Sequence, residues 1–511
     1  MTTLFGDHPA TAPIEDRDVE FLDTTLRDGE QAPGISLTPT EKADIARELD
    51  AAGVSVIEAG SACTGAGERE TIARVTGLGL DARVTSFARG VKNDIDLAIE
   101  CDVDGVNLVV PASDRHVERK VDTTRDAVVD ETVELVEYAT DHGLWVEVLG
   151  EDGSRADLEF LERLMGAAMD AGADRICAPD TVGHATPDRM LEVYARLSEI
   201  GPTSMHTHDD LGLAVTNALV GVAAGADLVH GTINGVGERA GNVALEEVAI
   251  ALDHGYGVET LVTERLYDLA QLVSTATGVP LAPNKAVVGE NAFTHESGIH
   301  TDGTLKDDAM YEPYPPETVG RTRRLVLGKH AGRAGVDAAL SEHGIDVSDD
   351  DLEEIVARIK RLGERGKRVT DADLLTISEE VRGHEHERRV ELIDLTAASG
   401  SGSPTASVRL EVDGEERVAS GTGSGPVDAA IAAVRSALGT AANAQLDSYH
   451  VDAITGGTDA VVTVEVEMSR EDRTVTVAAS DSDITTASVR AMVDALDRLL
   501  AEEETPVFAD D

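Results

Sequence analysis

The chain has 511 residues and a formal net charge of −54, from 97 Asp and Glu against 43 Lys and Arg, and 41% of its residues are hydrophobic. A chain with this hydrophobic content can form a buried core, so it is not a disordered acidic tail. Its anionic surface excludes nucleic acids and anionic membranes as partners. Only eight of the basic residues are lysines, and an acidic, lysine-poor surface is typical of adaptation to concentrated salt, which screens charge repulsion.

Three features indicate where the protein acts. Residues 1–18 have neither the basic nor the apolar part of a secretory signal. The chain has no run of about 18 apolar residues, so its sequence predicts no membrane span. The three cysteines, at positions 63, 101 and 177, are far apart and odd in number, which favours a reducing compartment over a disulfide framework. We therefore expect a cytoplasmic protein.

The region from residue 19 to residue 258 repeats one pattern, a short apolar, β-branched run followed by an amphipathic helix. The predicted strands are residues 19–22, 54–59, 83–87, 105–110, 145–149, 175–178, 203–208 and 228–233. Eight such units in about 235 residues predict a (β/α)8 TIM barrel, an α/β fold, with a doubly wound sheet as the alternative. Residues 1–18 would then be an N-terminal extension.

The pattern changes after the barrel. Residues 259–383 are predicted to form a helical linker, with helices at 259–278, 331–343 and 349–363 around a proline-rich loop. Residues 384–511 are predicted to form a C-terminal domain made of two similar ββα halves, which indicates an internal duplication. The predicted elements of the two halves are strands 406–412, 461–468 and 474–478 and helices 427–438 and 484–500. We expect this domain to sense a small molecule or to dimerise, because it presents no catalytic arrangement.

The carboxyl ends of the predicted barrel strands carry polar side chains, and such ends form the sites of these barrels. Asp28 follows the first strand, and Asn242 follows the eighth. His206 and His208 lie two residues apart in the seventh strand, so their imidazoles point to one side. These residues predict an open site for a divalent metal, Mg, Mn or Zn. Arg27 can bind a substrate anion or carbonyl.

Three further residues are candidates from their positions. Glu151 and Thr181 follow the fifth and sixth strands, and we expect them to face the substrate. A histidine-rich loop after the barrel contains His300. This loop can close over the barrel mouth, in its own chain or a partner subunit, and bring an acid/base group. Packing against the linker is the alternative.

Four segments together resemble one enzyme family. Residues 23–31, 206–209, 234–242 and 293–300 are similar to the 2-isopropylmalate, citramalate and homocitrate synthase family. The resemblance covers nearly the whole chain, including a region similar to the family's allosteric dimerisation domain. It implies an acyltransferase that condenses acetyl-CoA with a 2-oxoacid on a metal-bearing barrel, converting the acyl group into an alkyl group.

The resemblance also implies a role for each matching residue. These residues are the metal ligands Asp28, His206, His208 and Asn242, the keto-polarising Arg27, Glu151 and Thr181 near the 2-oxoacid and the proton path, the catalytic His300, and a linker tyrosine that matches Tyr311 or Tyr314. In the family, the histidine reaches the barrel of the partner subunit. The resemblance therefore implies a homodimer with His300 acting in trans and an amino-acid feedback effector at the C-terminal domain.

The identity of the 2-oxoacid is inferred from the barrel segments. Residues 58–62, 84–87 and 107–111 resemble archaeal-type citramalate synthases. Phe87 and Leu108, near strand ends, would make the pocket small and apolar and suit the methyl group of pyruvate. Segments outside the barrel look as much like 2-isopropylmalate synthases. We therefore expect an (R)-citramalate synthase of isoleucine biosynthesis, with a 2-isopropylmalate synthase of leucine biosynthesis as the alternative.

Two functions from other classes are also compatible with parts of the sequence. A related barrel lyase would cleave an acyl-CoA, but such lyases lack the duplicated C-terminal domain. A non-catalytic amino-acid sensor would not need Asp28, His206 and His208 together at strand ends. Both features favour the condensing enzyme.

Overall fold

The computed structural model describes residues 14–304, 306–364, 369–382, 388–399, 402–439, 443–453, 462–471 and 473–500. The chain divides into two compact units. The first comprises Met1–Phe293 and Tyr314–Arg323, and the second comprises Thr294–Pro313 and Arg324–Asp511. Within the described ranges, no helix has both the length and the apolar character required to cross a bilayer.

The first unit contains a closed barrel of eight parallel strands. Each strand pairs with the next along the chain, and the first pairs with the eighth, so that Asp23 lies beside Gly231. The strands are β1 (Glu20–Asp23), β2 (Val56–Glu58), β3 (Arg83–Arg89), β4 (Gly105–Pro111), β5 (Trp145–Glu151), β6 (Arg175–Cys177), β7 (Thr203–His206) and β8 (Leu228–Gly231). The TIM barrel prediction is confirmed, and the closing pair excludes an open doubly wound sheet.

Helices follow the strands around the barrel. They are α1 (Pro39–Ala51), α2 (Ala66–Thr76), α3 (Lys92–Ile99), α4 (Arg125–Asp141), α5 (Leu158–Asp170), α6 (Pro187–Leu197), α7 (Ala214–Ala223) and α8 (Leu245–Tyr256). Their starts follow from local sequence. At α1, the Thr38 hydroxyl accepts a hydrogen bond from the Glu41 N–H, the Glu41 carboxylate accepts one from the Thr38 N–H, and Pro39 takes the first helical position.

The interior of the barrel changes in character along the strands. Leu22, Val56 and Leu228 form a small apolar cluster of their own. Side chains two residues apart in a strand face the same side, so Glu58 and His230 continue the inner face of β2 and β8. Both are buried. The inner face therefore becomes polar toward the carboxyl ends of the strands, where the candidate site lies.

The linker contains short helices and two short strands. In the first unit, α9 (Leu266–Thr277) follows the barrel. The second unit contains β9 (Thr294–His295), α10 (Gly298–Thr304), β10 (Arg324–Leu325), α11 (Arg333–Glu342), α12 (Asp349–Glu364) and α13 (Asp371–Arg382), and β9 and β10 pair in parallel. The three predicted linker helices correspond to α9, α11 and α12, whereas α13 was not predicted.

The C-terminal region is duplicated, as predicted, and each half has one strand more than expected. The first half consists of β11 (Val390–Ala398), β12 (Thr405–Val412), β13 (Glu415–Thr422) and α14 (Pro426–Leu438). The second half consists of β14 (Gln445–Ala453), β15 (Val462–Arg470), β16 (Arg473–Asp481) and α15 (Ile484–Leu500). Each half is a three-stranded antiparallel sheet. Strands such as β13 bury no residue, so they lack the apolar alternation that identifies a strand.

Candidate active site at the barrel mouth

Three side chains that could bind a metal, those of Asp28, His206 and His208, meet at the carboxyl ends of β1 and β7. The Oδ2 atom of Asp28 lies 3.7 Å from the Nε2 atom of His206 and 3.8 Å from that of His208. One potential ligand atom from each residue lies within 4.8 Å of the others. The strand β7 ends at His206, earlier than predicted, and an isolated bridge between His208 and Asn242 holds the second histidine in place. The structure thus brings together the predicted ligands.

The loop after β8 presents Asn242 to this cluster. The Asn242 Nδ2 donates to the Val236 carbonyl at 3.3 Å, while its buried Oδ1 accepts no hydrogen bond from any described residue. A side chain at Gly237 would overlap the Asn242 amide, and Gly241 combines a φ of +91° with close contact to a neighbouring carbonyl. These glycines allow the loop to fold tightly around Asn242. An unpaired amide oxygen fits a fourth metal ligand.

The charge states of the cluster suit a divalent cation. Burial lowers the pKa of both histidines, and that of His206 lies well below the usual value, so both imidazoles are neutral. Burial alone would raise the pKa of Asp28, but the charge of Arg27 and a hydrogen bond from Asn242 contribute to lowering it to about 2. One carboxylate and two neutral imidazoles form a donor set that zinc and similar metals accept.

A buried ion pair fixes Arg27 beside the ligands. The Arg27 Nε donates to Glu58 Oε2 at 2.5 Å, and its Nη1 donates to Asp28 Oδ2 at 3.1 Å. Asn107 Nδ2 donates to the other Glu58 oxygen at 2.8 Å. Burial by itself lowers the pKa of Arg27, but the two carboxylates raise it above the usual value. The guanidinium also lies 4.7 Å from the centre of the Phe87 ring.

An apolar wall lies on the inner face of β3, β4 and β5. Phe87 is in register with Asn107, which points inward to Glu58. Side chains alternate along a strand, so Val109 also points inward, and Leu149 lies beside it in register. The same alternation directs Leu108 outward, where it is fully buried in the core. The structure therefore does not bring Leu108 to the predicted pocket, and Val109 takes the position expected for it.

Glu151 and Thr181 lie at the same mouth. Glu151 is the last residue of β5, and both of its carboxylate oxygens lie 2.6 Å from the Lys120 Nζ. The next residue, Asp152, has a φ of +62° and donates its backbone N–H to the Thr181 Oγ1 at 3.0 Å. Its carboxylate accepts two hydrogen bonds from Arg155, at 2.6 and 2.9 Å. Thr181 thus anchors the loop that follows Glu151.

Sequence reasoning missed the partners of Glu151. His116–Lys120 forms one turn of π-helix just after β4, a geometry that is rare and frequent at functional sites. The His116 Nδ1 lies 3.2 Å from an Asp152 oxygen, and its Nε2 lies 3.7 Å from a Glu151 oxygen. The available signal was the spacing of a histidine and a lysine, four residues apart, directly after a strand end.

A second buried polar group lies on the inner face near the ligands. The His230 Nε2 lies 2.9 Å from Glu147 Oε1, and the His230 ring meets the His206 ring edge-on at 5.8 Å. With Cys177 these residues form another set close enough to hold a metal. Burial raises the pKa of the Cys177 thiol well above its usual value, so the thiol is protonated. Because the thiolate is the form that binds metals, we interpret His230 and Glu147 as a hydrogen-bonded pair and not as part of a metal site.

The linker candidates belong to different compact units. His300 is exposed on α10, in the second unit, and its ring stacks on that of Tyr311 at 4.2 Å. Tyr314 belongs to the first unit, where its ring lies 5.3 Å from His254 and 5.6 Å from Phe293. Burial and the charge of a nearby glutamate raise the pKa of Tyr314 to about 12. The two tyrosines therefore have separate surroundings despite their closeness in sequence.

Comparison with protein families gives three successive matches. Residues 18–276, just over half of the chain, match the HMGL-like family. Residues 287–367 match the homocitrate synthase post-HMGL domain-like family, and residues 368–500 match the LeuA allosteric (dimerisation) domain. The three matches follow the order of the barrel, the linker and the duplicated C-terminal region.

Several curated relatives are similar over nearly their full length. The (R)-citramalate synthase CimA of Methanocaldococcus jannaschii is 48% identical over 488 residues, which cover 94% of this chain and 99% of the relative. Two proteins provisionally given the same name have similar sequence identity and coverage. That of Methanothermobacter thermautotrophicus is 53% identical over 95% of this chain and 99% of its own. That of Methanosphaerula palustris is 51% identical over 99% of both chains.

Proposed function

Because this chain belongs to the HMGL-like family and, within it, to the group of (R)-citramalate synthases, we propose that it condenses acetyl-CoA with pyruvate to give (R)-citramalate and CoA. The reaction is an acyl transfer in which the acetyl group becomes an alkyl group, and it is a step of isoleucine biosynthesis. The observation that carries this proposal is the cluster of Asp28, His206 and His208 beside the largely buried Arg27, in a chain similar to these enzymes over 94% of its length.

We propose that Asp28, His206, His208 and Asn242 hold a divalent metal, with Mg, Mn and Zn as the candidates. Two neutral imidazoles, one ionised carboxylate and an unpaired amide oxygen fit such an ion. When bound, the metal would polarise the keto group of a 2-oxoacid and fix its orientation. The remaining steps are assigned to side chains of the protein.

Arg27 is proposed to stabilise the negative charge that develops on the keto oxygen. Its Nε and Nη1 are held by Glu58 and Asp28, and among the described residues its Nη2 donates to none. A guanidinium held in advance by two carboxylates needs no reorganisation when the alkoxide forms, and fixed donors of this kind give the largest stabilisation. Arg27 therefore has a free pair of N–H groups for the substrate.

Glu151 is proposed to accept a proton from the methyl group of acetyl-CoA. The resulting enolate carbon forms a bond to the keto carbon of pyruvate, and the keto oxygen receives a proton. Water then cleaves the thioester, which releases CoA as a thiol and leaves the second carboxylate of citramalate. We propose His300, from the partner subunit, as a further acid/base group in this sequence.

The apolar wall is proposed to select pyruvate. Phe87, Val109 and Leu149 line one side of the inner face at the mouth, and Leu149 is only 3% exposed. Such a wall accepts a methyl group, while an isopropyl group requires more space. The names of the relatives also do not favour the 2-isopropylmalate synthase alternative.

We propose that residues 19–258 carry the chemistry, residues 259–383 link the domains, and residues 384–511 mediate dimerisation and bind an amino-acid effector. The match to the LeuA allosteric (dimerisation) domain supports the last role. We further propose a cytoplasm of high salt content as the site of action, because the net charge of −54 is best tolerated where salt screens it.

The proposed function is tested by CoA thiol release from acetyl-CoA in molar KCl. We expect a higher kcat/KM with pyruvate than with 2-oxoisovalerate, and loss of activity on chelation that added divalent metal restores. His206→Gln should abolish turnover, whereas His142→Gln, at an exposed histidine after α4, should not. A preference for 2-oxoisovalerate would refute the citramalate assignment, and full activity of His206→Gln would refute the site.

A further inference from the structure

The structure points to a pair of positioning residues on the π-helical turn after β4: we propose that Lys120 and His116 hold the carboxylate of Glu151 in place for proton transfer. The inference rests on the proposed condensation, because it assigns residues that act on the proposed base. Neither residue was identified from the family resemblance, and neither belongs to the metal cluster. Both residues contact the loop after β5.

Lys120 holds Glu151 from the side of the π-helical turn. Its Nζ lies 2.6 Å from Oε1 and 2.6 Å from Oε2, so the ammonium is centred on the carboxylate. The Lys120 side chain is 55% exposed and that of Glu151 is 20% exposed. An ion pair this exposed contributes little to folding, about 0–1 kcal/mol. Its effect on the direction of the carboxylate is therefore separable from its effect on stability.

His116 connects the base to the rest of the loop. Its Nδ1 lies 2.9 Å from the Ser113 Oγ and 3.2 Å from an Asp152 oxygen, and its Nε2 faces Glu151 at 3.7 Å. Burial by itself raises the pKa of Asp152, but hydrogen bonds from Arg155 and Ser113 lower it below the usual value. The imidazole thus lies between an ionised, fully buried carboxylate and the proposed base.

The backbone of this region is shaped for the contact. The π-turn is closed by an i→i+5 hydrogen bond, from the Val121 N–H to the His116 carbonyl at 3.0 Å, and both His116 and Lys120 face the Glu151 carboxylate from it. On the other side, Asp152 has a left-handed φ of +62°, which is uncommon for a residue other than glycine. Two uncommon backbone conformations therefore meet at Glu151. The π-turn is closed by its own backbone hydrogen bond, and Asp152 is held by Thr181 and Arg155. Such conformations cluster at active sites.

The composition of the chain supports a selected role for the lysine. The chain has eight lysines among 511 residues and a net charge of −54, so lysine is not a common choice for an exposed position. An exposed π-turn could carry any polar residue. A cation that meets both oxygens of the proposed base is therefore better explained by its effect on that base than by surface solvation.

The test is a double-mutant cycle between Lys120 and Glu151, read by CoA thiol release in molar KCl. Lys120→Gln is expected to lower kcat about tenfold to hundredfold, because a displaced base is less well aligned, while KM for pyruvate changes less than about threefold. His116→Gln should have the same signature. Lys120→Arg should recover most of kcat, since guanidinium can also meet both oxygens.

In the background of Glu151→Gln, the cycle separates a positioning role from an independent one. Lys120→Gln should then cost less than about twofold in the residual kcat, because its effect passes through the carboxylate. Arg119→Gln, at an exposed arginine of the same turn, is the matched control and should leave kcat unchanged. Thermal unfolding of the Lys120 and Arg119 variants should agree with that of the wild-type protein within about 3 °C, as expected for exposed side chains.

Two outcomes would overturn the inference. In the first, the kcat of Lys120→Gln equals that of Arg119→Gln. In the second, Lys120→Gln lowers kcat by the same factor whether residue 151 is Glu or Gln. Failure of the proposed function is seen separately, in the wild-type protein. If that protein uses 2-oxoisovalerate instead of pyruvate, the cycle is measured with that substrate, and the same two outcomes decide it.

Discussion

The ion pair between Glu58 and Arg27 gives the sharpest test of the candidate site. Glu58 is fully buried and accepts hydrogen bonds from the Thr24 hydroxyl at 2.5 Å, Arg27 Nε at 2.5 Å and Asn107 Nδ2 at 2.8 Å. In Glu58→Gln, the amide oxygen can serve Thr24 and Arg27. The new NH2 group then faces Asn107, whose Oδ1 accepts no bond from a described residue and can turn to meet it. The substitution therefore removes the charge and keeps the hydrogen bonds.

The expected cost follows from the loss of that charge. Removing one partner of a buried ion pair lowers the free energy of unfolding by about 3–5 kcal/mol. The hydrogen bonds that the variant keeps reduce this loss to about 2–3 kcal/mol. This figure is a loss of folding stability. If Arg27 stabilises the transition state, a guanidinium that Glu58 no longer orients should lower kcat/KM by about 100-fold, at the lower end of the effect of losing one fixed oxyanion donor. The melting temperature should also fall by a few degrees, because the guanidinium is left buried without its main counter-charge.

The assay is CoA thiol release with pyruvate, together with thermal unfolding in the same buffer. Glu192→Gln is the matched control, because Glu192 makes an exposed pair with Arg189 at 2.7 Å and should change neither quantity. The reasoning is refuted if Glu58→Gln retains the wild-type kcat/KM. A fall in melting temperature without a fall in kcat/KM would show that the pair supports the fold and does not serve the chemistry.

Three other predictions concern the pocket, pH and salt. Val109→Ala should raise kcat/KM for 2-oxoisovalerate relative to pyruvate by about tenfold. Leu108→Ala should leave this ratio unchanged and should lower the free energy of unfolding by about 2–5 kcal/mol. The reverse result would refute the inward placement of Val109. Burial, with the nearby charge of Glu246, raises the pKa of Asp23 from 3.8 to about 7, so its contribution to stability is present below about pH 4 and is lost as the pH rises toward about 7. Asp23→Asn should therefore reduce the decline in unfolding free energy between about pH 5 and about pH 8, measured by urea denaturation, and an unchanged decline would contradict the assignment. Dilution from about 3 M to about 0.2 M KCl should lower the melting temperature, because it restores repulsion between carboxylates; a constant melting temperature would argue against salt adaptation.

The barrel and the ligand cluster could be predicted because both depend on local sequence. Each strand is a short apolar run before a polar turn, and the carboxyl ends of parallel strands converge at one mouth. Asp28, His206 and Asn242 occupy such ends or the loops that follow them, so their proximity follows from topology alone. Even an error of two residues in the end of β7 did not change which way His206 and His208 point.

The pocket wall could not be predicted with the same accuracy, because it depends on the parity of a strand. Leu108 and Val109 are both apolar neighbours in β4, and the sequence does not show which one faces the barrel interior. The answer comes from Asn107, whose inward direction is fixed by its hydrogen bond to Glu58. A shift of one residue moves a side chain from the substrate to the helical layer.

Contacts between distant segments were the other limit. Lys120 and Glu151 are 31 positions apart, and their meeting depends on a π-turn that has no recognised sequence signature. The strands β11 and β14, which exceed the predicted ββα pattern, were missed for a different reason, because their side chains are largely exposed and show little apolar alternation. Burial patterns predict the core of this protein well and predict its surfaces poorly.

The scarcity of lysine now gives information at the level of single residues. Of the four lysines in the first compact unit, Lys42 and Lys285 each lie between two glutamates and are largely buried, and Lys120 meets both oxygens of Glu151. The fourth, Lys92, lies 3.7 Å from the ring of Tyr138. In this unit, each lysine therefore contacts a carboxylate or an aromatic ring, and none of the four is only a solvated surface charge. We propose that the acidic surface reflects a salt-rich environment, and that the four lysines of the first compact unit mark positions with a specific structural or chemical role.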